Sequence, residues 1–174
     1  MVNRNLRSFF LLLTVHAALA GLARADWQGV GAMTAQAPEG NQIVFTGRTA
    51  TAAVTVLAPD LVRVRIAHGA KFEPDYSWAV AKTDWPATEL KFSGGKQTRI
   101  IRTSELEVRI QLSPFLINFY DLNGKLIVED ARDVAWEGER VRAWKSMPAD
   151  EHYYGLGEKT GPLDKRGRSF VNWN

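Results

Sequence analysis

Between residues 42 and 147 the chain repeats one device: a short run rich in Val, Ile, Leu and Phe, then Pro, Gly, Asn or Asp, then another short run. A helix that buries one face needs apolar residues three and four apart, whereas a half-buried strand needs them two apart. The runs here follow the second rule. Val62, Val64 and Ile66 alternate with Arg63 and Arg65, and Leu106, Val108, Ile110 and Leu112 alternate with Glu107, Arg109 and Gln111. Each run therefore predicts a strand with its apolar residues inside and its charged ones outside. No stretch of helical period is long enough to matter.

The breaks between the runs predict how the strands connect. Ala58-Pro59-Asp60 separates Ala53–Leu57 from Leu61–Ala67, and Gly94-Gly95-Lys96 separates Glu89–Ser93 from Gln97–Thr103. After Pro114 the run Phe115–Tyr120 continues to Asn123-Gly124, a pair that favours the positive φ of a tight hairpin. Many short strands joined this way fold as an all-β antiparallel β-sandwich. Residues 26–41 hold Gly29, Gly31, Pro38 and Gly40 with little periodicity. They read as a leader into a sandwich domain spanning 42–174, loosely packed at its start. There is no internal repeat and no low-complexity tract.

Residues 1–25 have the pattern of a secretory signal peptide. Arg4 and Arg7 precede an apolar stretch from Phe9 to Leu22, and Ala23-Arg24-Ala25 is a small-x-small cleavage site. The apolar core is shorter than the roughly 20 residues that span a bilayer, so cleavage and export to the periplasm or exterior are expected, with no membrane association afterwards. Cleavage removes three arginines and no acid. The 22 basic residues fall to equality with the 19 acidic ones. A nucleic-acid partner is thereby excluded, since such a partner calls for a basic face. The chain has no cysteine, so no disulfide can hold the exported domain. Its 45% hydrophobic and 24% charged content suffices, because a chain of this length buries about 68 to 70% of its unfolded surface.

The final stretch is different in kind. Tyr153-Tyr154-Gly155-Leu156-Gly157-Glu158-Lys159-Thr160-Gly161-Pro162-Leu163 is followed by Lys165-Arg166-Gly167-Arg168 and by Asn172-Trp173-Asn174. A phosphate-binding loop is excluded, because the glycines it needs directly before the lysine and five residues earlier are Glu158 and Tyr153. A dinucleotide fingerprint is excluded too: its third glycine would be Thr160, and no helix follows. The segment resembles the one in family 31 glycoside hydrolases, the α-glucosidases and their relatives, that joins the N-terminal galactose mutarotase-like β-sandwich to the catalytic barrel. The resemblance is motif-level over residues 150–174 and architectural elsewhere.

The resemblance implies a loop leaning over a sugar pocket. In the family the tryptophan is usually followed by Asn-Thr-Asp, whose aspartate hydrogen-bonds substrate. Asn174 corresponds to that asparagine, so the chain is expected to be incomplete there. Trp173 and Asn174 are the expected substrate-binding residues, with Arg166 and Arg168 in support. Glu158 is expected to brace the loop by accepting backbone amides. Catalysis is implied to be a retaining double displacement by two barrel aspartates, without metal or organic cofactor, on α-glycosides. The close acidic pairs here, Glu129-Asp130, Glu137 with Glu139 and Asp150-Glu151, fit solvated turns or strand ends better than that role. A mutarotase would require histidine as acid and glutamate as base, and nothing in the sequence joins His68 or His152 to one. Trp78, Trp85, Trp136 and Trp144 are expected to pack rather than bind sugar. The remaining alternatives are a stand-alone carbohydrate-binding module and a docking domain without a ligand.

Overall fold

A computed structural model describes residues 26–77, 80–82 and 84–171, and the signal-peptide region lies outside them. The described residues contain twelve strands and no helix. A four-stranded antiparallel sheet is formed by β2 (Met33–Ala35), β3 (Gln42–Gly47), β4 (Ala50–Ala58) and β5 (Leu61–His68), in that order. Opposite it stands a five-stranded sheet ordered β10-β9-β8-β7-β6. Its strands are β6 (Lys91–Gly94), β7 (Thr98–Arg102), β8 (Leu106–Leu112), β9 (Phe115–Asp121) and β10 (Leu126–Val128). A third sheet places β11 (Asp130–Glu137) between β1 (Gln28–Gly29) and β12 (Arg140–Lys145).

The two larger sheets face each other across one apolar core. Ile43, Phe45, Ala52, Val54 and Val56 come from the first sheet; Ile101, Val108, Ile110, Leu112, Phe115 and Ile117 come from the second. Phe45 and Phe115 meet at 5.1 Å between ring centroids, joining the two sheets. On β8 the alternation read from the sequence is kept, with Val108, Ile110 and Leu112 buried while Arg109 points outward. At the Asn123-Gly124 hairpin the Asp121 carboxylate accepts the amides of Asn123 and Lys125, and Gly124 takes φ 83°.

Two features depart from the one-dimensional pattern. Residues 26–41 are more than a loose lead-in: they supply β1 and β2, and Val30 and Met33 are buried in the core. Gly29 and Gly31 obscured the periodicity, because the chain crosses from one sheet to another there. The Gly31 amide donates to Asp133 at 2.9 Å and the Val30 amide to the Val134 carbonyl at 2.9 Å. On β5 the arginine face is not simply solvated. Arg63 makes a two-pronged pair with Asp75 at 2.5 and 2.6 Å, Arg65 donates to the Glu73 carbonyl, and the Arg65 guanidinium stacks on Phe72. The segment around residues 72–75 is strapped over that face. On the neighbouring β4, Thr51 and Ala53, which pair with Ala67 and Arg65, are buried as well.

The third sheet carries an aromatic and cationic ladder. Arg142 lies 4.0 Å over Trp27, Trp27 meets Trp144 edge to face at 6.5 Å, and Arg132 lies 6.0 Å over Trp144. Trp136 packs against the core and under His68, at 5.3 Å. Trp136 and Trp144 are thus packing residues. Trp85 is partly buried with Lys82 over its ring, and Trp78 lies outside the described residues.

Candidate functional site

β12 ends at Lys145, and the chain then runs to Val171 without a strand or helix. Order in this loop comes from side chains bonded to backbone. Ser146 first ties it to the end of β10, through its amide to the Glu129 carbonyl and its hydroxyl to the Glu129 carboxylate at 2.6 Å.

Three consecutive residues then hold three different stretches of the loop. Asp164 accepts the amides of Tyr153 at 3.1 Å and Arg166 at 2.9 Å, and lies 2.7 Å from His152 Nδ1. The bond with His152 and the two amides hold its carboxyl down to about 2. Lys165, only 8% exposed, donates from its ammonium to the Pro162 carbonyl at 2.7 Å and the Lys159 carbonyl at 3.4 Å. Arg166 sends its guanidinium to the carbonyls of Pro148 at 2.5 Å, Glu151 at 2.8 Å and Met147 at 3.3 Å. Backbone bonds Lys165 N to Tyr153 O and Arg168 N to Lys165 O complete the frame.

The outer turn is held differently. Gly155, Leu156 and Gly157 all take positive φ, at 86°, 65° and 77°. Glycine adopts that region freely, but leucine does so only under constraint. Leu156 is consequently presented to solvent beside exposed Tyr154, whose ring stacks on His152 at 6.3 Å. Tyr153 turns inward instead. Its hydroxyl donates to Glu151 at 2.6 Å, which raises the phenol above its ordinary range.

Arg166 faces the base of the loop, while the Arg168 side chain is exposed with no bonding partner among the described residues. Trp173 and Asn174 lie outside the described residues. Glu158 is not the expected brace: it is exposed and accepts no amide among the described residues, and Asp164 does that work. The signal for Asp164 was present, since an aspartate that accepts the amide two residues on is a common turn device. Lys165 carried no such signal, because exposed and buried lysines look alike in a sequence.

In each close acidic pair at least one carboxylate is engaged structurally. Glu129 takes Ser146, Asp130 accepts the Ile117 amide and pairs with Lys145, Glu137 pairs with Arg140, and Glu151 takes Tyr153, while Glu139 and Asp150 are exposed. No cluster of three potential metal ligands exists among the described residues. His68 lines an open groove of about 550 Å³ along β5, together with Lys71, Phe72 and Glu73, whereas His152 belongs to the loop.

Comparison with known proteins agrees with this architecture. The model of the glycosyl hydrolase 31 N-terminal galactose mutarotase-like domain matches residues 51–174. Alpha-glucosidase 2 of Bacillus thermoamyloliquefaciens is 33% identical over 115 residues, which is 64% of this chain and 14% of that enzyme. The GH31 dextranase of Flavobacterium johnsoniae, solved with isomaltotriose and with glucose, superposes with a TM-score of 0.73 at 26% identity. That match covers 81% of this chain and 18% of the dextranase. The cycloalternan-forming enzyme of Listeria monocytogenes, at 18% identity and a TM-score of 0.64 over 82% of this chain and 14% of that enzyme, shares the fold. The chain thus spans less than a fifth of each of these relatives. With its all-β architecture and its family match over most of its length, the chain belongs to glycoside hydrolase family 31, as the N-terminal galactose mutarotase-like domain.

Proposed function

We propose that this domain is the exported N-terminal part of a longer α-glycosidase and supplies one wall of its substrate pocket. The observation that carries the reading is the 147–171 loop. It is a glycine-punctuated segment without secondary structure, yet it is held in one shape by Asp164, Lys165 and Arg166, and it leads directly to Trp173 and Asn174. Binding groups commonly sit on loops fixed by a rigid scaffold, and a flat aromatic ring with nearby polar groups is what a sugar requires. In this reading Trp173 and Asn174 contact the glycoside, Arg168 reaches its hydroxyls, and Arg166 holds the loop base. The α-glucosidase and dextranase activities named for the relatives support an α-glycoside as substrate.

Hydrolysis with retention needs one carboxylate as nucleophile and a second carboxyl as acid, about 5 to 5.5 Å apart. Glu129, Asp130, Glu137, Glu151 and Asp164 are committed to turns and pairs, and in this reading both catalytic groups come from a barrel domain outside residues 26–171. The test is to express the whole reading frame and this domain separately, and to assay both on a chromogenic α-glucoside and on isomaltose. The long product should turn over an α-glycoside and the domain alone should not. Turnover by the domain alone, or a long product inert on every α-glycoside, refutes the proposal. N-terminal sequencing of exported material tests the leader, with Asp26 as the expected first residue.

A further inference from the structure

We propose that Lys165 and Lys159 form a positioning relay that fixes the pocket-facing end of the loop, an inference that rests on the pocket reading above. Lys165 is the only buried basic residue among the described residues, and no carboxylate lies within ion-pair distance of its ammonium there. A buried cation without a counter-ion is expensive, so its retention calls for a specific task. Its two acceptors are the carbonyls of Pro162 and Lys159, and the Phe170 ring lies 5.9 Å from the charge. The ammonium thus gathers the 159–162 turn and the outgoing segment at Phe170 at one point.

Lys159 carries the constraint onward. Its own ammonium donates to the Val171 carbonyl at 3.0 Å, two residues before Trp173. The relay therefore runs from the loop base, where Asp164 and Tyr153 fix the backbone at Lys165, through the Lys159 carbonyl and side chain, to residue 171. Two cations bonded to carbonyls make a charge-assisted frame stronger than neutral bonds would supply. Neither lysine need touch substrate for its loss to be felt, because a displaced binding wall loses contacts made to substrate and transition state alike.

The experiment uses the full-length product with Lys165→Met, Lys165→Arg and Lys159→Met. Lys159→Met removes the outer half of the relay at a partly exposed position, so it probes the idea even if Lys165→Met folds poorly. Both methionine variants should raise KM for an α-glycoside roughly 10-fold with kcat within about threefold, the signature of lost uniform binding. Lys165→Arg, whose fork can still reach both carbonyls, should recover most of the loss. An unchanged KM in both methionine variants of an active enzyme overturns the relay and leaves the pocket reading intact. If the wild-type product acts on no α-glycoside, the pocket reading fails by itself. Deuterium exchange at Phe170 and Val171 then decides the relay: faster exchange in both variants upholds it as a loop-positioning device, and unchanged exchange overturns it.

Discussion

Replacing Thr103 with valine should weaken the sandwich at a seam the strands themselves do not close. Thr103 is 7% exposed at the end of β7, and its hydroxyl donates at 2.6 Å to the carbonyl of Pro59 in the β4–β5 turn of the opposite sheet. The same oxygen accepts the Glu105 amide at 3.0 Å and the Leu106 amide at 2.8 Å. Valine keeps the volume but loses all three bonds. The lost O–H bond is worth about 1 kcal/mol net, and an amide left without its partner about 1 to 2 kcal/mol more. Glu105 is exposed, so its amide turns to water and adds little. The total is roughly 2 to 3 kcal/mol. With an m-value near 2 kcal/mol/M in urea, the midpoint should fall by about 1 to 1.5 M with m unchanged, followed by tryptophan fluorescence. Thr103→Ser keeps the hydroxyl and should lie within about 1 kcal/mol of the parent. A valine variant within about 0.5 kcal/mol of the parent, or a serine variant weaker than the valine one, would refute the seam.

Phe45→Ala empties the centre of the core beside Phe115 and should destabilise by about 3 to 5 kcal/mol, read by the same titration; a loss under about 1 kcal/mol would mean the sheets collapse onto the void. Asp164 has its carboxyl lowered from 3.8 to about 2 by folding, so its stabilisation of the loop is complete above pH 4 and is lost as pH falls from 4 towards 2. Protection of the Tyr153 and Arg166 amides, measured against the intrinsic exchange rate at each pH, should fall in that window, and Asp164→Asn should remove that fall. Leu156→Asn should relieve left-handed strain of order 1 kcal/mol, so the thermal midpoint should hold or rise slightly, whereas a clear fall would show that the exposed leucine makes a stabilising contact.

The strands were legible because their information is local. Leu61–Ala67 and Leu106–Leu112 declare their two faces residue by residue, and the Asn123-Gly124 turn carries its own φ requirement. The strands of residues 26–41 were not legible, since β1 and β2 are two and three residues long and pair with β11 and β3. Within the loop the motif announced the family, but it gave the brace to Glu158. The carboxylate that takes the amides is Asp164, and sequence alone cannot decide which of two acids in a loop faces inward.

The sequence by itself determined an all-β sandwich, the positions of its main hairpins and its membership of a carbohydrate-active family, because alternation, turn chemistry and a glycine-spaced motif are properties of neighbouring residues. Only the tertiary structure decided that Arg63 and Arg65 strap down a covering segment, that Thr103 ties its sheet to Pro59 44 residues away, and that Lys165 is buried. Those outcomes depend on which distant carbonyl or carboxylate the fold brings within 3 Å of a polar group, and no pattern along the chain carries that distance.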